Sequence, residues 1–316
     1  MKVLFLGTGK IGVPALRSLM EAQEIELVGV VTQPDRPIGR HQRLHASEVK
    51  QAVLLSKKNI PIFQYEKIND EKVVSELKKL SPEIVVVAAY GQILKRPILE
   101  LGSLGIVNIH ASLLPRHRGA ACIPAAIRSG DKETGITIMR VEETLDAGDI
   151  FLQKKIPIEP KDTSASLEDK LAELAPAMLG DVLTQMCNGT LVSRKQDESL
   201  ATYAKKLTKA DGQIDWTHSA EQIERHIRAM IPWPTAYTRL EPEGKMLKIF
   251  SVAIGSSANE SCGQILRVTE EGILVSAGQC GLWIKEVQLE GKKHMSAVEF
   301  ARGHQLQVGT IFKQHQ

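Results

Sequence analysis

The sequence predicts an α/β chain in two parts, a doubly wound parallel sheet with helices and then a small β domain. Three observations carry this. Apolar runs alternate with amphipathic stretches over the first half, giving a βαβαβ order. Two of those runs, VLFL and IVVVAA, are apolar at every position, as strands covered on both faces must be. After residue 236 the pattern changes to short strands separated by turn signals such as EPEG and TEEG.

The first-half strands are expected at Lys2–Leu6, Ile25–Val31, Ile60–Phe63, Glu83–Ala89 and Gly105–Ile109. Val13, Leu16 and Met20 mark one helical face, and Val73, Leu77 and Leu80 another, with Asn69 as the N-cap of the second. A strand pair, Gly135–Val141 and Phe151–Ile158, precedes a long helix opening near Thr163. Leu167, Leu171 and Leu174 line its buried face, and Pro176 should kink or split it. Residues 190–208 are polar and without period and read as a linker, so the first domain covers 1–189 and the second 209–316. In the second domain Ser219 and Gln222 form a capping box opening a helix over 219–231, which Pro232-Trp233-Pro234 ends. The strands that follow suit a small barrel or sandwich.

The length of 316 residues fits two domains with their own cores. No apolar run reaches the roughly 18–20 residues of a membrane span. The N-terminus, MKVLFLGTGK, reaches glycine after six residues and reads as a first strand rather than a secretory signal. Cys122, Cys187, Cys262 and Cys280 are scattered without ligand spacing, which predicts free thiols in a reducing, cytoplasmic setting and no metal site. A net charge of +3 excludes a polycationic nucleic-acid coat but leaves room for a local basic patch.

Gly7-Thr8-Gly9-Lys10-Ile11-Gly12 matches the dinucleotide fingerprint GxGxxG. A dinucleotide enzyme wants an acidic residue at the end of the second strand to hold the ribose. That strand ends Val30-Val31-Thr32-Gln33, and Asp35 lies beyond it in a proline-rich loop. The motif therefore reads as a tight strand–helix turn.

Asn108 and His110 alternate at the end of a strand and so share a face. An amide beside an imidazole suits acyl transfer, one stabilising an oxyanion and the other moving protons near neutral pH. Strand-end hydrogen bonding is the other reading of the pair. Asp146, in the turn TLDAGD, is either a turn former or the carboxylate that orients His110. Arg116, His117 and Arg118 read equally as a solvated basic corner. Residues 34–50 form a long irregular insertion with four basic residues (Arg36, Arg40, Arg43, Lys50) against two acidic ones. Insertions of this length are functional or mobile.

NIHASLLP, followed by RHRGAA, GDKETGITIM and LDAGDI, resembles the folate-dependent formyltransferases. VVVAAYGQIL, DTSASLEDKLAEL, TYAKKL, PWP and GKKHMSA extend the likeness along nearly the whole chain, toward the branch that acts on methionyl-tRNA. The resemblance implies a Rossmann-like formyltransferase domain followed by an OB-like β-barrel that binds tRNA. It implies 10-formyltetrahydrofolate as donor and initiator methionyl-tRNA as acceptor, hence an enzyme of translation initiation; the chain is expected to act as a monomer and without a metal. It assigns catalysis to Asn108, His110 and Asp146. Folate contacts fall to Ser112, Leu113, Leu114 and Pro115 and to the backbone at Ala89, Tyr90 and Gly91, and tRNA contacts to Arg36, Arg40 and Arg43. An N-formyltransferase acting on an amino sugar nucleotide would share the catalytic trio. It should lack the basic loop and the OB-like domain in this form.

Overall fold

A computed structural model describes residues 1–38, 43–240 and 244–312. Contacts divide the chain into two units: Met1–Cys122, Glu133–Pro157 and Glu168–Lys205 form one, and Ile123–Lys132, Ile158–Leu167 and Lys206 onward form the other. Residues 190–205, expected within a linker, belong to the first unit by this division.

The elements of the first half follow in order as β1 (Lys2–Gly7), α1 (Val13–Glu21), β2 (Glu26–Thr32), β3 (Arg36–Ile38), β4 (Arg43–His45), α2 (Glu48–Ser56), β5 (Ile62–Gln64), α3 (Glu71–Lys79), β6 (Ile84–Ala88), α4 (Arg96–Leu99) and β7 (Gly105–His110). Next come α5 (Cys122–Ser129), β8 (Glu133–Arg140), β9 (Ile150–Pro157) and α6 (Ser164–Cys187). Seven strands make one Rossmann-like sheet in the order β5-β2-β1-β6-β7-β8-β9. The first five are parallel, and β8 and β9 join antiparallel. The chain builds outward from β1 to β2 and β5, then reverses to β6 and β7. That reversal is a topological switch point, and the carboxyl ends of β1, β6 and β7 open beside it. β6 is buried at all five positions, which accounts for its unbroken apolar run.

Three expectations need correction. The insertion at 34–50 is not irregular where it is described: β3 and β4 pair as a hairpin, and α2 starts at Glu48, capped by Ser47. Asp70, not Asn69, occupies the N-cap of α3. The Asn69 amide instead bridges the Ile93 carbonyl and the Lys95 N–H, tying down the loop after β6. Of the two outcomes expected at Pro176, a kink or a split, the split does not occur: α6 runs through it for 24 residues.

In the second unit α7 (Ala220–Ala229) opens with the expected Ser219/Gln222 capping box. β10 (Tyr237–Leu240), β11 (Lys245–Ser257), β12 (Ile265–Thr269), β13 (Gly272–Ala277) and β14 (Cys280–Leu289) form an antiparallel sheet in the order β10-β11-β14-β13-β12, with β15 (His294–Ser296) added to β14. Register shifts along β11 mark bulges, which bend a strand and let a sheet curve. A final helix, α8 (Ala297–His304), was not expected from sequence, although Ser296 and Glu299 spell a second capping box. Trp216 anchors the core, fully buried, stacked on Phe312 and donating to Thr238 Oγ1.

His226 on α7 has an Nε2 with no hydrogen-bond partner among the described residues. Burial first, and the Arg128 guanidinium second, depress its pKa from 6.5 to about 4. The unfolded chain therefore binds the extra proton first, so this unit loses stability as pH falls from 6.5 towards 4. All three tryptophans lie in residues 216–283, so their fluorescence reports the second unit. Denaturant melts followed by tryptophan emission at pH 7 and 4.5 should show a smaller pH-dependent loss in His226→Gln than in wild type. Equal losses would contradict the assignment.

Candidate active site

Asn108 and His110 stand at the carboxyl end of β7, where Asn108 pairs with Val87 of β6 and His110 with Thr137 of β8. His110 is 6% exposed, and a buried imidazole needs its nitrogens satisfied. Nε2 lies 3.0 Å from the His117 carbonyl oxygen. A carbonyl can only accept, so Nε2 carries hydrogen and Nδ1 is the nitrogen left to gain or release a proton. Nδ1 faces Asp146 Oδ2 at 3.6 Å. At that gap no hydrogen bond of normal length joins Nδ1 to this carboxylate. The half-buried Asn108 carboxamide makes no hydrogen bond to another described residue.

Asp146 sits in the left-handed region at φ 49°, and its Oδ2 accepts the Gly119 N–H at 2.7 Å. The glycine of the same turn, Gly148, leaves no room for a side chain, because a Cβ there would lie 2.1 Å from the Arg140 carbonyl oxygen. His117, which holds His110, is also left-handed, at φ 59°. Left-handed backbone at non-glycine residues costs of order 1 kcal/mol or more and persists only where surroundings enforce it. Both enforced residues touch His110.

The stretch after β7 is held from below. Thr137 Oγ1 donates to the Ser112 carbonyl at 2.6 Å and accepts the Leu114 N–H at 3.2 Å. Gln153 Nε2 donates to the Leu114 carbonyl and to Thr137 Oγ1. Ser112 is fully buried and donates to the Arg116 carbonyl at 2.6 Å; the Leu114–Pro115 peptide is cis. Leu113 packs where Gly135 lacks a side chain. Thr137 lies within the GDKETGITIM stretch and Gln153 outside any of the quoted motifs, and sequence reasoning gave neither a role. Leaving β6, Ala89 and Gly91 are exposed with positive φ, whereas Tyr90 is buried. Its carbonyl is bound by Thr8 Oγ1 and Gln33 Nε2. The β6–β7 register sets this segment beside His110. The trio, residues 112–115 and residues 89–91 thus lie around the carboxyl ends of two adjacent strands.

A formyl transferase profile matches residues 1–183, and a profile for the C-terminal domain of formyl transferases matches 206–305. The chain belongs to the formyl transferase family. It is 45% identical over 308 residues to the methionyl-tRNA formyltransferase of Akkermansia muciniphila, covering 96% of this chain and 97% of that one. It is 43% identical over 310 residues to that of Geobacter sulfurreducens, covering 98% and 96%. Among solved structures it is similar to an N-formyltransferase from Helicobacter canadensis in complex with folinic acid and dTDP-3-aminofucose, with TM-score 0.65, 18% identity and coverage of 90% of this chain and 98% of that one. It is also similar to HypX from Aquifex aeolicus, with TM-score 0.65 and 16% identity, covering 98% of this chain and 48% of HypX, so it spans about half of that protein. These two likenesses concern the fold.

Within this formyl transferase, other candidate residues fall elsewhere. Arg36 and Arg43 are exposed on the β3–β4 hairpin, apart from the trio in sequence and fold, and Arg40 lies outside the described residues. Arg36 pairs with Glu66 and Lys50 with Asp35, so part of the local positive charge is compensated. The glycines of the first turn have a packing reason. A Cβ on Gly12 would lie 2.8 Å from Ala88 Cβ, and one on Gly7 2.5 Å from Phe5. The Ile11 N–H, at the turn where a dinucleotide phosphate would seat, meets the carboxylate of Glu168, whose pKa is raised chiefly by burial. No group of three or more His, Cys, Asp or Glu among the described residues could hold a metal ion, and no helix among them is long and apolar enough to cross a membrane.

The basic corner at 116–118 also needs correction: Arg116 is exposed, but His117 and Arg118 are buried. Arg118 is 0% exposed and grips Glu198 through two hydrogen bonds of 2.6 and 2.9 Å. That hydrogen bonding holds the Glu198 carboxyl below its ordinary 4.5. A depressed carboxylate contributes stability above its unfolded pKa and loses it as pH falls through the folded value. The melting temperature of wild type should therefore exceed that of Glu198→Gln above about pH 5, with the gap closing towards pH 3. A gap constant across that range would contradict the pairing.

Proposed function

We propose that this formyl transferase moves the formyl group of 10-formyltetrahydrofolate to the α-amino group of initiator methionyl-tRNA. The observation that carries the chemistry is the His110 imidazole, bound at Nε2 by a backbone carbonyl, with Nδ1 facing Asp146 beside an unengaged Asn108 amide. The acceptor follows from relatives above 40% identity across both domains that carry the name methionyl-tRNA formyltransferase.

In this reading the transfer is direct. Even free α-amino groups titrate near ~7.7–8.0, and the aminoacyl ester is more acidic, so the amine is largely neutral at pH 7. It attacks the formyl carbon, and a new C–N bond forms. The Asn108 N–H and the Nδ1–H of a protonated His110 stabilise the oxyanion, and Asp146 favours that imidazolium. The bond from the formyl carbon to the folate nitrogen then breaks, and the proton lost by the attacking nitrogen ends on the leaving nitrogen. Ser112, Leu113, Leu114 and Pro115 with Ala89, Tyr90 and Gly91 receive the folate. Arg36, Arg40 and Arg43 meet the acceptor end of the tRNA, where a planar guanidinium can grip phosphate and stack on an unpaired base. The second unit supplies further RNA contact through local basic faces, since residues 209–316 balance at twelve basic against twelve acidic side chains. The enzyme works in the cytoplasm, where its tRNA is.

The test is a transfer assay with 10-formyltetrahydrofolate and two acceptors, methionyl-tRNA and a dTDP-linked amino sugar. Formylation of methionyl-tRNA alone is expected; formylation of the sugar alone would replace this reading with a sugar N-formyltransferase. Asn108→Ala and His110→Ala should each lower kcat by about 10²–10³, with circular dichroism unchanged. Near-normal turnover in either would remove that residue from the chemistry.

A further inference from the structure

We propose that Gln196 is a positioning residue of this site, holding both partners of His110 through one carboxamide; the inference rests on the formyl-transfer reading above. From Val192 to Leu200 every side chain is exposed except Gln196, which is half-buried. Its Nε2 donates to the Asp146 carbonyl and to the Gly148 carbonyl, each at 2.8 Å. Its Oε1 accepts from Arg118 Nη2 at 2.9 Å and Nε at 3.2 Å. Two donors and two acceptor sites are the full inventory of a primary amide, and all are engaged. No other side chain supplies both halves at this length: a glutamate cannot donate as a carboxylate, and lysine and arginine cannot accept.

The two halves lead to the two sides of one imidazole. On the Nδ1 side, Gln196 pins the left-handed turn that presents the Asp146 carboxylate. On the Nε2 side it binds Arg118, the neighbour of His117, whose carbonyl holds the ring. The next N–H, of Gly119, closes the circuit onto Asp146 Oδ2. The segment bearing Gln196 is itself anchored, because Arg194 exchanges two backbone hydrogen bonds with Ile150 at 2.8 and 2.9 Å. His117 N–H meanwhile donates to Thr202 Oγ1 at 2.8 Å. This end of the first unit thus sets where the carboxylate sits relative to the ring.

Two variants of the full chain separate positioning from simple tethering. Gln196→Leu removes every bond, whereas Gln196→Glu keeps the acceptor for Arg118 and loses both donors to the Asp146 turn. Both should lower kcat for formyl transfer by about 10–100-fold, the scale of a misplaced catalytic group, with KM for donor and acceptor within about twofold. The amide resonance of Gly119 reports the bond to Asp146 Oδ2 without any turnover, and it should shift upfield in both variants. Wild-type kcat in Gln196→Glu, or a Gly119 resonance unmoved in both variants, would overturn the proposal. A wild-type enzyme inactive on methionyl-tRNA would instead defeat the functional reading, and the Gly119 resonance would still decide the role of Gln196.

Discussion

A buried imidazole with one nitrogen committed to a carbonyl has one nitrogen left for chemistry, and the site around β7 is organised by that constraint. The His117 carbonyl takes Nε2, which directs Nδ1 towards Asp146. The 3.6 Å separation from Oδ2 leaves the nitrogen within reach of charge but short of a closed ion pair. The left-handed backbone at His117 and Asp146 sets both partners of the ring in place.

The scaffold meets the constraint by bringing distant segments together. The switch point of the parallel sheet exposes the ends of β6 and β7 side by side, with Asn108 and His110 on one and residues 89–91 following the other. β8 and β9 then support the trio from the antiparallel side, with Thr137 and Gln153 bracing residues 112–115. Residues 194–204 complete the frame through Arg118, Gln196 and Thr202. A charge as deeply buried as Arg118 is tolerable because Glu198, Gln196 and Tyr203 meet its guanidinium. Those contacts also hold the chain that carries His117.

The parts written locally were legible from sequence, and the parts written at long range were not. Uninterrupted apolar strands, the Ser219/Gln222 capping box and the alternation of Asn108 and His110 each express a short-range rule, so the succession of strands along the chain and the placing of the two side chains on one face could be read directly. Asp146 needed a resemblance to single it out, because an aspartate in a turn has a common alternative explanation. Gln196 was unreadable for a different reason: it meets Arg118 across 78 residues of sequence, inside a stretch that is polar and without period. Such a stretch looks like a linker because its partners lie far away in sequence and leave no local period. The helix α2 was hidden inside a charged insertion although Val49, Ala52 and Val53 have helical spacing and are buried. The Ser296/Glu299 box of α8 was present but introduces only two turns.

The His117 carbonyl fixes which nitrogen of His110 carries hydrogen, and the tautomer can be measured without substrate. Nitrogen-15 shifts of the histidine rings, recorded above neutral pH where neutral imidazole dominates, distinguish the two tautomers directly. His110 is expected as the Nε2–H tautomer, with Nδ1 showing the shift of an unprotonated nitrogen. A His110 ring found as the Nδ1–H tautomer would contradict it, because the nitrogen assigned to the chemistry would then be the one committed to the scaffold.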